Sequence, residues 1–145
     1  MRPFDPLTIV GTAVTALLAS DTFIAGYNWQ MFESNVRAVL PRGYVNVAAA
    51  SALDEAWLPE SFEIEVVLEG QPKQLTSPEA TSTILGHITR PDLATALDAL
   101  VTDGSMIFLG RAERLRLAQS IVGEMRQFKL AFLLHGQWNV QYVPG

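Results

Sequence analysis

Two stretches, "FEIEVVLEGQ" at residues 62–71 and "FKLAFLLHGQ" at 128–137, open on Phe, place large apolar groups at every second position and close on Gly-Gln. Successive side chains of a β-strand point to opposite faces, so this period-two pattern reads as two half-buried strands. Phe62, Ile64, Val66 and Leu68 form one apolar face, and Phe128, Leu130, Phe132 and Leu134 form its counterpart. The 66-residue offset that aligns the two stretches does not align the helices around them, so we read two members of one sheet rather than a duplicated domain. Their other faces differ. Glu63, Glu65, Val67 and Glu69 make a charged, solvated face, whereas Lys129, Ala131, Leu133 and His135 leave a surface around Ala131 and Leu133 that calls for cover by a helix or a neighbouring subunit.

The remaining elements follow from periodicity and punctuation. Asp5-Pro6 marks a helix start, and Leu7, Val10, Val14, Leu17 and Leu18 form one stripe, predicting a helix over 6–19. Residues 21–43 mix aromatic residues with turn formers and are expected to hold a short strand and a short helix. "YVNVAAA" (44–50) reads as a strand, and 70–78 as a loop. "EATSTILGHI" fits a helix opened by Ser77-Pro78 or an extended segment, with the helix preferred. A second main helix is predicted over 91–102, started by Thr89 and Asp92 and stopped by Gly104. "SMIFLG" follows as a short buried strand. Composition makes 111–126 helical, yet Leu115, Leu117 and the Ile121-Val122 pair suit a strand, which we favour for 113–122. Gly136 in His135-Gly136-Gln137 predicts a turn, so that "WNVQYV" (138–143) closes the chain as a hairpin. The expected class is α+β: a mixed or antiparallel β-sheet packed against two main α-helices, one domain over 1–145.

Composition excludes several chemistries. With 145 residues, no Cys and a net charge of −5, the chain has no thiolate or Cys-based zinc site, and its field repels nucleic-acid phosphate. "LTIVGTAVTALLAS" lacks the marks of a targeting segment: Asp5 is acidic, three Thr interrupt it, and Leu17 stands where a small residue is needed. His87 and His135 have no acidic or His neighbour at ligand spacing, so His87 is expected to be a hydrogen-bonded structural residue and His135 a solvated strand end. No Ser lies in a nucleophile-elbow pattern, and Gly104, Ser105 and Gly110 do not form a phosphate cradle. We expect no catalytic residues, cofactor or metal; hard-cation binding on Glu63, Glu65 and Glu69 is the alternative to a solvated face.

Charged residues make up only 17% of the chain, which points to surface buried between subunits. Arg111, Arg114 and Arg116 form the one basic cluster, with Arg114 and Arg116 on one face if extended. Opposite charges on separate strands suit head-to-tail pairing of identical subunits, a basic edge against an acidic edge. Glu63, Glu65, Glu69, Arg111, Arg114, Arg116, Ala131, Leu133 and Trp138 are therefore the candidate subunit-contact or lumen residues. Trp29, Trp57 and Trp138 are candidate anchors that also suit the core.

The order "PLTIVGTAVTALLAS", an aromatic segment, "LPRGYVNV", "FEIEVVLEG", a helix and closing strands resembles the tail-terminator and tail-completion proteins of tailed bacteriophages. That resemblance implies a non-enzymatic virion protein assembled in the host cytoplasm. It would form a homo-oligomeric ring, usually a hexamer, that caps the tail tube and abuts tube and neck or connector proteins, with DNA passing through an electronegative lumen. It carries no membrane, cofactor or sequence-specific nucleic-acid role. The alternative is a small ligand-binding or regulatory α+β domain, its pocket between helix 91–102 and the sheet.

Overall fold

Phe62 and Phe128 lie on adjacent antiparallel strands, in a register that sets Phe62 opposite Leu134, Ile64 opposite Phe132, Val66 opposite Leu130 and Leu68 opposite Phe128. The two look-alike stretches are thus direct neighbours, and their apolar positions merge into one face. A computed structural model describes residues 6–21, 29–31, 42–49, 60–71, 78–101, 104–123 and 125–138. In chain order these form α1 (Pro6–Ala19), β1 (Gln30–Met31), β2 (Arg42–Ala49), β3 (Ser61–Gly70), α2 (Pro78–Thr89), α3 (Leu93–Asp98), β4 (Met106–Val122) and β5 (Met125–Trp138). The sheet order is β1-β2-β3-β5-β4, with β1 parallel to β2 and the other pairs antiparallel. The class is α+β as expected, with a mixed sheet and three helices among the described residues.

The core lies between the helices and one sheet face. Val45 and Val47 of β2, the four apolar residues of β3, and Leu130, Phe132 and Leu134 of β5 are buried against Val10, Val14, Leu17 and Leu18 of α1, Ile84 and Ile88 of α2, and Leu93 and Leu97 of α3. The α1 stripe is the one its spacing predicts. The segment 79–88 is helical, as preferred. Helix α3 is shorter than the predicted 91–102, and Asp92 gives no side-chain cap. Its carboxylate accepts from Arg90 at 2.7 and 2.8 Å instead, and that guanidinium holds the Asp92 carboxyl below its usual range. Thr89 is spent on α2, donating to the Leu85 carbonyl. The end of α3 is tied to β4 by the Phe108 N–H, which donates to Asp98 at 2.7 Å. Gly104 has φ +67, the left-handed conformation expected of it, but six residues beyond the helix.

Strand β4 decides 113–122 in favour of β and runs far past the short strand predicted at 105–110. Val122 pairs with Met125 where β4 gives way to β5, and Gly123 has φ +63, a conformation that hairpin connections favour. The turn predicted at His135-Gly136-Gln137 does not exist, because β5 continues through it to Trp138. Gly136 is instead a gap between strands. Its N–H donates to the Glu60 carbonyl at 2.9 Å, and a Cβ there would overlap the Met106 methyl group and lie 3.3 Å from the Ile107 carbonyl oxygen. Gly136→Ala is expected to lose about 1–3 kcal/mol in urea denaturation, less in a Met106→Ala background; a neutral result would show that the site has slack. Apart from β1, residues 22–28 and 32–41 lie outside the described residues, as does the closing strand expected over 138–143 after Trp138, which ends β5.

Candidate functional site

On the sheet face away from the helices, alternation brings the outward positions of four strands into rows. Asn46, Glu65, Ala131 and Arg116 form one row across β2, β3, β5 and β4. Beside it run Ala48, Glu63, Leu133 and Glu113. An open trough of about 610 Å³ covers these rows, lined by Asn46, Glu63, Glu65, Arg114, Arg116 and Leu133 among others. It is within the size range of ligand and peptide sites.

Two irregularities shape the β4 wall. The pairing of β4 with β5 shifts between Leu109 and Glu113 and again between Glu113 and Arg116, and Arg114 takes φ +54. Extra residues in a strand bend it and re-aim its side chains. Both Arg114 and Arg116 consequently line the trough. Glutamates stand on one side and arginines on the other, with Ala131 and Leu133 between them. No ion pair among the described residues joins either carboxylate to either guanidinium.

Six of the nine residues singled out from the sequence, namely Glu63, Glu65, Arg114, Arg116, Ala131 and Leu133, meet in this trough. Three do not. Glu69 is 2% exposed and accepts from Arg42 Nη2 at 2.9 Å and Nε at 3.2 Å. The same guanidinium lies 5.1 Å from the centre of the Tyr44 ring. This end of the face, with Tyr44 and Val67 also buried, is closed rather than solvated. Arg111 is exposed but outside the trough lining, and Trp138 packs edge-on against Phe62 on the core side, ring centres 6.3 Å apart. The acidic edge expected for head-to-tail pairing is also absent: β3 is an interior strand, so its glutamates form a face. Only the basic cluster lies on an edge, β4.

The histidines find acidic partners that their sequence neighbourhoods do not show. His87 Nε2 lies 2.7 Å from Asp21 Oδ2, tying α2 to the residue after the α1 turn, as a structural histidine should. His135 is not merely a solvated strand end. Its Nε2 lies 3.2 Å from Glu113 Oε2 and its Nδ1 3.0 Å from Ser61 Oγ. A carboxylate only accepts, so in the neutral ring Nε2–H donates to Glu113 and Nδ1 accepts from the Ser61 hydroxyl. The connectivity is that of a hydroxyl beside an oriented base. However, the nearby Gly136 N–H is already committed to Glu60 and is not free to stabilise an oxyanion. We read the three residues as a brace that holds the bulged part of β4 to β5 and β3.

Between α3 and the sheet, where the alternative reading expects a pocket, Leu93, Leu97, Met106 and Phe108 are all buried. Among the described residues, no group of three or more His, Asp or Glu side chains converges as a metal ion requires, and no helix is long and apolar enough to cross a membrane.

No protein-family model matches the chain, and no curated protein matches it. Its fold is similar to that of a chain in a solved structure described as "Virion of native gene transfer agent (GTA) particle", with a TM-score of 0.51 and 12% sequence identity. The similarity covers 94% of this chain and 100% of that one. At this identity the likeness is one of fold.

Proposed function

We propose that this chain is a non-enzymatic virion structural protein of the tail-terminator type, forming a homo-oligomeric ring at the junction of tail and neck. The observation that carries this reading is the end-to-end fold similarity to a chain of a gene transfer agent virion, which leaves no part of that chain unmatched. A charge of −5 suits a ring through which DNA passes without being held, because the field repels phosphate. The open trough suits a contact between protein surfaces, since no ion pair among the described residues neutralises its charged walls. Tail-tube and neck or connector proteins are the partners this reading assigns to the two ends of the ring.

The test is the state of the purified protein. Light scattering after size exclusion is expected to give a multiple of the 15.9 kDa chain mass, and negative-stain microscopy a closed ring with a central opening. A 15.9 kDa monomer at every concentration would overturn the reading. It would favour instead a small binding domain that uses the trough for a ligand, a reading supported by the trough's volume.

A further inference from the structure

We infer that β4 pairs by its open edge with β4 of a second copy of this chain, antiparallel and about a two-fold axis through Gln119. This goes beyond the ring reading and does not rest on it. β4 ends the sheet, so among the described residues no strand lies beyond it and its outward N–H and C=O groups have no ladder partner. The first half of that edge is guarded. Arg111, Glu113 and Arg114 lie along it, and the pairing with β5 shifts between Leu109 and Glu113 and again between Glu113 and Arg116. Charges and bulges are what keep an edge from receiving another strand. The second half has neither. Its register against β5 runs unbroken from Arg116 opposite Ala131 to Val122 opposite Met125, and from Leu117 to Val122 it carries no charge. Every residue from Arg116 to Ile121 is exposed. Leu117 lies on the helix side of the sheet beside Thr81 and Ile84 of α2 and is still 52% exposed. Ile121, on the same side by alternation, is 67% exposed.

The segment is its own complement. A two-fold axis normal to the sheet keeps every side chain on its own face, so it sets opposite each other residues of the same face. Centred on Gln119, it places Leu117 opposite Ile121 twice and Gln119 opposite Gln119 on the helix side, with Ala118 opposite Ser120 and Arg116 opposite Val122 on the other. Apolar side chains meet apolar ones and amide meets amide, the pairs that stabilise neighbouring strands, while the two Arg116 side chains stay roughly 20 Å apart. Moving the centre by one residue either way sets Leu117 or Ile121 opposite Gln119 instead. The product is one continuous sheet across two copies, with both helical layers on the same side. Being isologous, the contact closes on two copies and leaves the remaining surface of each free for a ring. So short a contact is expected to give a weak dimer, dissociating in the micromolar range.

The chain has no Cys, so single cysteines placed in the full-length protein report the register. Cα atoms of directly opposed residues lie about 4.5–5.5 Å apart, within disulfide range, and diagonal ones about 7–8 Å, beyond it. Gln119→Cys is expected to cross-link under mild oxidation to twice the 15.9 kDa chain mass. Ala118→Cys alone is expected to do so about tenfold more slowly, because Ala118 faces Ser120, and an equal mixture of Ala118→Cys and Ser120→Cys is expected to match Gln119→Cys. Ile121→Lys, a charge set opposite Leu117, is expected to weaken the parental dimer about tenfold in sedimentation equilibrium with unchanged circular dichroism, and Ile121→Ser serves if it misfolds. Equal cross-linking of Gln119→Cys and Ala118→Cys, or none of Gln119→Cys, would overturn the edge contact; a ring seen by microscopy beside that result leaves the ring reading standing. A dimer cross-linked through Gln119→Cys that forms no ring supports the edge contact and overturns only the ring. A parent that is monomeric at every concentration would overturn both.

Discussion

Replacing Arg42 by Met is expected to destabilise the protein by about 3–5 kcal/mol, because it leaves Glu69 charged and without its partner in a buried position. The Glu69 side chain is 3% exposed and that of Arg42 12%, and one carboxylate oxygen takes both the Nε and the Nη2 contacts. Removing one member of such a pair costs more than the pair contributes, since the remaining charge keeps its desolvation penalty. The double variant Arg42→Met with Glu69→Leu is accordingly expected within about 1–2 kcal/mol of the parent, or above it. Urea denaturation of the parent, both single variants and the double variant would give the coupling energy directly. A loss below about 1 kcal/mol for Arg42→Met would mean that the pair behaves as a surface ion pair, contrary to its burial.

Phe62→Ala is expected to cost about 3–5 kcal/mol, a large share of the roughly 5–15 kcal/mol that holds a domain folded. Phe62 is completely buried, lies on interior strand β3 opposite Leu134, and meets the Trp138 ring edge-on. Truncation removes both the buried area and the ring pair, and the surrounding strands cannot close the cavity. Phe128, its twin in the sequence pattern, is only half-buried, so Phe128→Ala is expected to lose less, about 2 kcal/mol, in proportion to the area it keeps from water. Thermal melts of the two variants compare the twins: a drop of roughly 10 °C for Phe62→Ala and about half of that for Phe128→Ala. Equal losses would mean that position in the sheet does not set the cost.

These two predictions rest on different amounts of sequence information. The Phe62 prediction was legible in outline: alternation put Phe62, Ile64, Val66 and Leu68 on one face, and the structure buries all four. The Arg42–Glu69 pair was not. In the strand pattern Glu69 is indistinguishable from Glu63 and Glu65, yet β2 sets Arg42 opposite Glu69, Asn46 opposite Glu65 and Ala48 opposite Glu63. Only the first of these partners can neutralise a carboxylate, and a glutamate is buried only where that happens. The trough shows the same division. Ala131 and Leu133 were recognised as a face that wants cover, but nothing local placed Arg116 two strands from Glu65.

Where local rules failed, a competing contact had taken the residue they relied on. Gly136 looked like a turn glycine and is instead the space into which the Met106 side chain fits beside the Ile107 carbonyl. Asp92 looked like a helix cap and gave its carboxylate to Arg90. His135 looked solvated and is bridged to Ser61 and Glu113, residues 74 and 22 positions away.

By itself, then, the sequence determined that the two Phe-headed stretches are strands with one apolar face, where α1 lies, and that the class is α+β. Those properties depend on periodicity and on capping or turn residues within a few positions, which act before any distant contact forms. The tertiary structure alone decided that the twin strands are neighbours, that Glu69 is buried while Glu63 and Glu65 remain on the trough, and that the arginines of β4 oppose them. Each of those outcomes is set by strand order and register. A one-residue slip or a different neighbour would reassign every cross-strand partner without changing a single local pattern.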